Sequence, residues 1–170
     1  MKTIISDTTA LIILTKSNHF NLLTNIFDTV YIPSAVMNEI RYKNDIVQIL
    51  VESSDIIKVR EVTNQEILAD IQTTNLDLGE TEAIALALEM DLRLIIDEKK
   101  GRKIAEQNGV RIIGLLGILE ANYRLGDISY KELLYILEDF KRVNYRLSPV
   151  LERAFLDGIN PKNLDIIVKI

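Results

Sequence analysis

Cysteine is absent from this 170-residue chain, which excludes disulfides and thiolate metal sites and suits a reducing, cytoplasmic setting. Histidine occurs once, as His19, with no partner at ligand spacing, which argues against a histidine-based hydrolase. No run of about 18 apolar residues occurs, so no membrane span is expected. The opening MKTIISDTT carries too short an apolar stretch for a signal peptide. Positive charge is not in excess either: 20 Lys and Arg against 25 Asp and Glu leave a net charge of −5. That argues against indiscriminate nucleic-acid binding, because phosphate contacts need local positive charge. It leaves room for an enzyme whose acids are neutralised by metal and whose basic side chains gather on one rim. Repeats, low-complexity segments and flexible linkers are missing, and Gly114-Leu115-Leu116-Gly117 lacks the lysine and hydroxyl of a phosphate loop.

What the chain does have is 48% hydrophobic residues, enough for one domain to bury roughly 70% of its unfolded surface. Thr3-Ile4-Ile5-Ser6 reads as a short buried strand, followed by an apolar helix from Thr8 to about Lys16. Further strands are expected over 30–32, 56–59, 92–96 and 111–113. Helices are expected over 20–27, from Ser34 through Ile40, over 45–52, and from the capping-box spacing Thr63-Asn64-Gln65-Glu66 onward. Others follow Asp77-Leu78-Gly79-Glu80, run over 98–107 to an Asn108-Gly109 stop, and span 115–123. Strands alternating with helices imply an α/β fold, a parallel sheet flanked by helices on both faces. Later, Leu133, Leu134, Ile136, Leu137 and Phe140 recur at helical spacing, and Ser148-Pro149 opens another amphipathic helix. The expected organisation is a single domain: an α/β core over 1–126, a docked helical pair over 127–160, and a tail over 161–170. The apolar end of that tail suits an added strand or a meeting with a second subunit.

Four acids stand at comparable topological positions. Asp7 and Asp97 each follow a β-branched run, where open α/β sheets place their ligands. Glu39 lies in the early part of a helix, and Glu80 follows a glycine turn. Each has an ordinary reading: Asp7 as a helix cap, Glu39 as a surface glutamate suited to the helix dipole, Glu80 as partner of Asp77 in a D-x-x-E cap. Either Asp97 or Glu98 can cap the next helix while the other faces a site. Taken together they suggest more, since clustered carboxylates repel and lose hydration unless a divalent cation sits between them. Glu82, about 200° around the helix from Glu80, is expected to face elsewhere.

The segments IISDTTALIIL, VYIPSAVMNEI, LDLGETEAIALALE and LIIDEKKGRKIAEQNGVRIIGLLGIL resemble, in that order and spacing, a PIN domain (the PilT N-terminal nuclease superfamily). The resemblance is to its toxin-like prokaryotic branch, and the ending NYRLSPVLERAFLDG is similar as well. It implies a Rossmann-like sheet with Asp7, Glu39, Glu80 and Asp97 as first to fourth acids around Mg²⁺ or Mn²⁺. Asp7 and Asp97 are then the direct metal ligands, with Glu39 and Glu80 binding directly, through water, or accepting a proton. Two departures stand out. The third acid is often Asp in the family, and Glu98 becomes the fourth if its strand shifts by one residue. Thr9 matches a small hydroxyl near the first acid, and Arg102 a basic position. Lys100 and its neighbours Lys99 and Lys103 are candidate phosphate contacts, whose ordinary reading is a solvated helix face.

The function implied is a divalent-metal-dependent endoribonuclease acting on RNA, as the toxin of a pair with a small protein antitoxin and as a homodimer. The alternative is a PIN-fold binding or assembly module that no longer cleaves. A haloacid-dehalogenase-type phosphatase would want a second aspartate where Thr9 stands. A receiver domain would want paired acids near the first strand and a lysine after a later one; neither placement fits.

Overall fold

Both faces of the sheet are apolar, because successive residues of its strands point to opposite sides and both sets are aliphatic. Ile4, Val30, Ile32 and Ile95 enter one core cluster, while Ile5, Leu94 and Ile96 enter the other. The structure, a computed structural model, describes residues 2–159; the expectations for the tail lie outside them. The five strands are β1 (Thr3–Ser6), β2 (Thr29–Ile32), β3 (Ile57–Val59), β4 (Leu94–Ile95) and β5 (Ile112–Ile113). They pair in parallel in the order β3-β2-β1-β4-β5. The helices are α1 (Thr8–Lys16), α2 (Asn21–Thr24), α3 (Ser34–Lys43), α4 (Ile46–Ser53) and α5 (Gln65–Gln72). They continue with α6 (Leu78–Met90), α7 (Lys99–Gln107), α8 (Leu115–Leu125), α9 (Tyr130–Arg142) and α10 (Pro149–Ile159). None of the helices among the described residues is long and apolar enough to cross a membrane.

Leu11 and Leu14 of α1, Ile118 of α8 and Phe140 of α9 cover one face. Ile84 and Leu86 of α6 with Ile104 of α7 cover the other. The chain leaves β1 toward β2 and β3 on one side and later returns to β4 and β5 on the opposite side. The junction of β1 and β4 is therefore the switch point, where parallel sheets open a crevice at their carboxyl ends. Ser6 pairs with Ile95, and the Asp7 amide still donates to Ile95 O at 3.2 Å. That register brings Asp7 and Asp97 to the same crevice.

Several boundaries differ from the sequence expectation for tertiary reasons. The second helix keeps only four residues, because the chain turns so that Asp28 and Thr29 can donate to Lys2 O and begin β2. Ser34 does not cap α3. Pro33 takes that position, and the free Ala35 amide donates to Glu82 Oε2 of α6 at 2.8 Å. Glu39 accordingly lies past the middle of α3, not in its early part. Asn64, rather than Thr63, caps α5, and the Thr63 hydroxyl donates to Glu89 instead. Asn108-Gly109 ends α7 as expected, with Gly109 at φ +80°.

Polar contacts tie α8 and α9 to the segment between α1 and β2. His19 pairs with Asp139 of α9 at 2.9 Å. Asn122, fully buried in α8, donates to Leu22 O at 3.0 Å and Ile118 O at 2.9 Å while accepting from Asn25 Nδ2 at 2.9 Å. Replacing Asn122 by Leu keeps the branched shape but leaves the Leu22 carbonyl and the Asn25 amide without their partner. A loss of about 3 kcal/mol in urea-unfolding free energy is expected.

Candidate functional site

Asp7 leaves β1 as the N-cap of α1, with Oδ1 accepting from Ala10 N at 2.9 Å and the side chain almost wholly buried. Burial pushes its carboxyl up to about 8, against the opposing hydrogen bond from Ala10, and repulsion from Asp97, Glu80 and Asp77 adds to the rise. A helix cap in water has the reverse tendency, so burial here outweighs the cap's hydrogen bond. Glu80, half-buried on the first turn of α6, is raised to about 7 by burial and then by Asp77 and Glu98. Asp77 caps α6 by accepting from Glu80 N at 2.7 Å, which fixes both acids at one helix start.

Asp97 follows β4 and is held from two directions. Its Oδ2 accepts from Leu115 N at 2.8 Å at the start of α8, and its Oδ1 accepts from the Tyr145 hydroxyl at 3.1 Å. Burial raises its carboxyl above the usual range despite those two donors and nearby Arg102. Burial and the charge of Asp97 likewise raise the Tyr145 hydroxyl, which stays a donor. Of the two neighbouring acids it is Glu98 that caps α7, its carboxylate accepting from Lys100 N and Gly101 N.

Two glycines make room for these groups. A Cβ on Gly114, whose φ of −101° is ordinary, would fall 2.6 Å from Asp97 Oδ1 and 2.9 Å from Arg102 Nη1. A Cβ on Gly101 would fall 2.9 Å from Glu80 Oε1.

Glu39 reaches the cluster indirectly. It is exposed, pairs with Lys43 at 3.2 Å, and accepts from the buried Thr8 hydroxyl at 2.6 Å. A Cβ on Gly79 would lie 3.3 Å from Glu39 Oε2 and 3.5 Å from Asp77 Oδ1, so the two acids border the same glycine. The hydroxyl that meets an acid is thus Thr8. Thr9 is exposed on the wall of an adjoining cavity of about 1170 Å³. Asp97, Arg102, Lys103, Tyr145, Arg146 and Phe155 also line that cavity. Arg102 is anchored by donating from Nη1 to Ile96 O at 2.9 Å, and Lys100 donates to Asn75 O. Sequence reasoning passed over Asp77, Thr8 and Tyr145. The first was visible as a cap, the second stood beside the residue singled out, and the third lay in the matching C-terminal segment without a local signal of its own.

The donor set suits a hard divalent cation. It consists of carboxylate oxygens, two of them on acids raised first by burial and then by neighbouring carboxylates. Among the described residues, no three acids or histidines converge as a complete ligand group. An ion here would take one or two carboxylates and keep several waters, which is the habit of Mg²⁺.

A family model described as a PIN domain matches residues 3–160 of the chain. Among solved structures, the chain is similar to a PilT N-terminus domain protein from the hyperthermophilic archaeon Sulfolobus solfataricus P2, at 18% identity. That likeness covers 87% of this chain and 98% of the other, with a TM-score of 0.45. No curated protein matches.

Proposed function

Because the chain belongs to the PIN domain family, a nuclease superfamily, we propose that it is a divalent-metal-dependent endoribonuclease. The observation that carries this reading is Asp7: a buried carboxyl at the sheet's switch point, pushed up to about 8 by burial and by three further acids. Asp7 and Asp97 would hold Mg²⁺ or Mn²⁺, with Glu80 and Glu39 steadying its waters. When bound, such an ion neutralises charge on the scissile phosphate and makes a water more acidic. Glu80, half-buried beside Asp77 at the start of α6, would be the group that exchanges a proton. Arg102 and Thr9, which line the adjoining cavity, and Lys100 at the start of α7 would contact the RNA.

The resemblance carries two protein partners with it, a small antitoxin and a second copy of the chain, in a cytoplasmic toxin–antitoxin pair. Co-purification with a neighbouring gene product and sedimentation of the purified chain test them.

The test of the activity is incubation of end-labelled RNA with the protein and Mn²⁺, Mg²⁺ or chelator. Internal cuts that appear with the ions and vanish with chelator are expected. Absence of cutting above an Asp7→Asn preparation sinks the proposal. The competing outcome is a non-cleaving binding module, which would bind RNA without divalent-dependent cuts. Arg102→Ala is expected to weaken RNA binding about 10-fold and to lower the salt dependence by about one phosphate contact. Fluorescence anisotropy across a salt series, without divalent ion, measures both.

A further inference from the structure

We infer that Tyr145 is a positioning residue, contributed by the C-terminal helical pair, that holds Asp97 in the orientation in which it ligates the divalent ion. The inference rests on the metal-dependent reading above. Asp97 has one donor on each oxygen: Leu115 N on Oδ2 at 2.8 Å and Tyr145 on Oδ1 at 3.1 Å. Two donors on different oxygens stop rotation about the Cβ–Cγ bond, where a single donor would leave the carboxylate free to swing. Gly114 supplies the space in which this fixed carboxylate lies.

Tyr145 is itself held firmly. Its ring meets Phe140 edge-on, with centroids 5.9 Å apart at 77°, and its amide donates to Phe140 O at 2.9 Å. Phe140 is fully buried, and Lys141 ties α9 to Glu152 of α10 at 2.8 Å. The hydroxyl therefore occupies a place set by both helices. Hydrogen-bond partners behind a ligating side chain commonly matter to metal binding, and their loss costs about 10- to 100-fold in affinity. A tether that only fastened the α9–α10 connection to the sheet would affect stability and leave ion binding alone.

Tyr145→Phe separates the two roles, since it keeps the ring contact and removes only the hydroxyl. Calorimetric titration with Mn²⁺ is expected to show affinity weaker by about 10-fold, with a melting temperature close to wild type. Cleavage lost at low Mn²⁺ should return when the ion is raised, and RNA affinity without divalent ion should not change. Tyr123→Phe, which removes a hydroxyl from α8 away from the acids, should bind Mn²⁺ as wild type does. Equal Mn²⁺ affinity in Tyr145→Phe and wild type overturns the inference and leaves the nuclease reading standing. A wild-type chain that binds no Mn²⁺ overturns both, and that titration tells the two failures apart.

Discussion

Asp7→Asn is expected to reduce divalent-dependent RNA cleavage at least about 100-fold while leaving the fold intact and, at neutral pH without metal, making it more stable. The amide oxygen can still accept from Ala10 N, and Asn is as good a helix cap as Asp. What disappears is the charge. In the wild-type chain the folded value of about 8 stands far above the ordinary 3.8. Between those two values the folded chain retains a proton that the unfolded chain releases. Wild-type stability should therefore fall as pH rises from about 4 to about 8, by no more than about 1.4 kcal/mol per pH unit. Below that window the penalty is absent, and above it the penalty is complete.

The Asn variant lacks this contribution, so the two unfolding curves should separate as pH rises. Mn²⁺ should narrow the gap, since a cation bound to the ionised acid stabilises the native state by about 2.7 kcal/mol at 100 times its Kd. Only the wild type should show that gain. Chemical unfolding at pH 5, 7 and 8.5, with and without Mn²⁺, measures all of it. A wild-type chain whose stability rises through this pH window would contradict the placement of Asp7 among repelling acids.

Phe140→Ala should have the largest effect on folding itself, about 4 kcal/mol, or roughly 10 °C in melting temperature. The ring is fully buried between α9 and the sheet domain and meets both His19, at 6.2 Å, and Tyr145. Its removal leaves a cavity beside His19 and Tyr145. Differential scanning calorimetry gives the shift directly. A change of under 1 kcal/mol would mean that the helical pair is not cooperative with the sheet.

Much of this architecture could be read from local pattern. β1, α1, α4 and the Asp77 cap emerge close to where the β-branched runs and capping residues place them. Asp7 and Asp97 were legible for the same reason, because a strand followed by an acid is a local signal whose meaning the topology completes. What stayed hidden depends on contacts between distant segments. Nothing near Ala35 shows that Glu82, 47 residues on, will satisfy the start of α3. Nothing near Tyr145 shows that its hydroxyl will reach an acid 48 residues earlier. Thr8 and Thr9 differ only in which side of α1 they occupy, a distinction set by the packing of α1 on α3. Asp77 was recognised for its backbone bond, while its charge acts on groups that only the folded chain brings near.

Gly114 has a consequence for how this chain can vary. Its backbone would accept any residue, so the demand for a bare α-carbon comes from the carboxylate pressed beside it. Positions 97 and 114 should therefore drift together. A descendant that abandons the aspartate, and whose Arg102 swings aside, frees position 114 to acquire a methyl group.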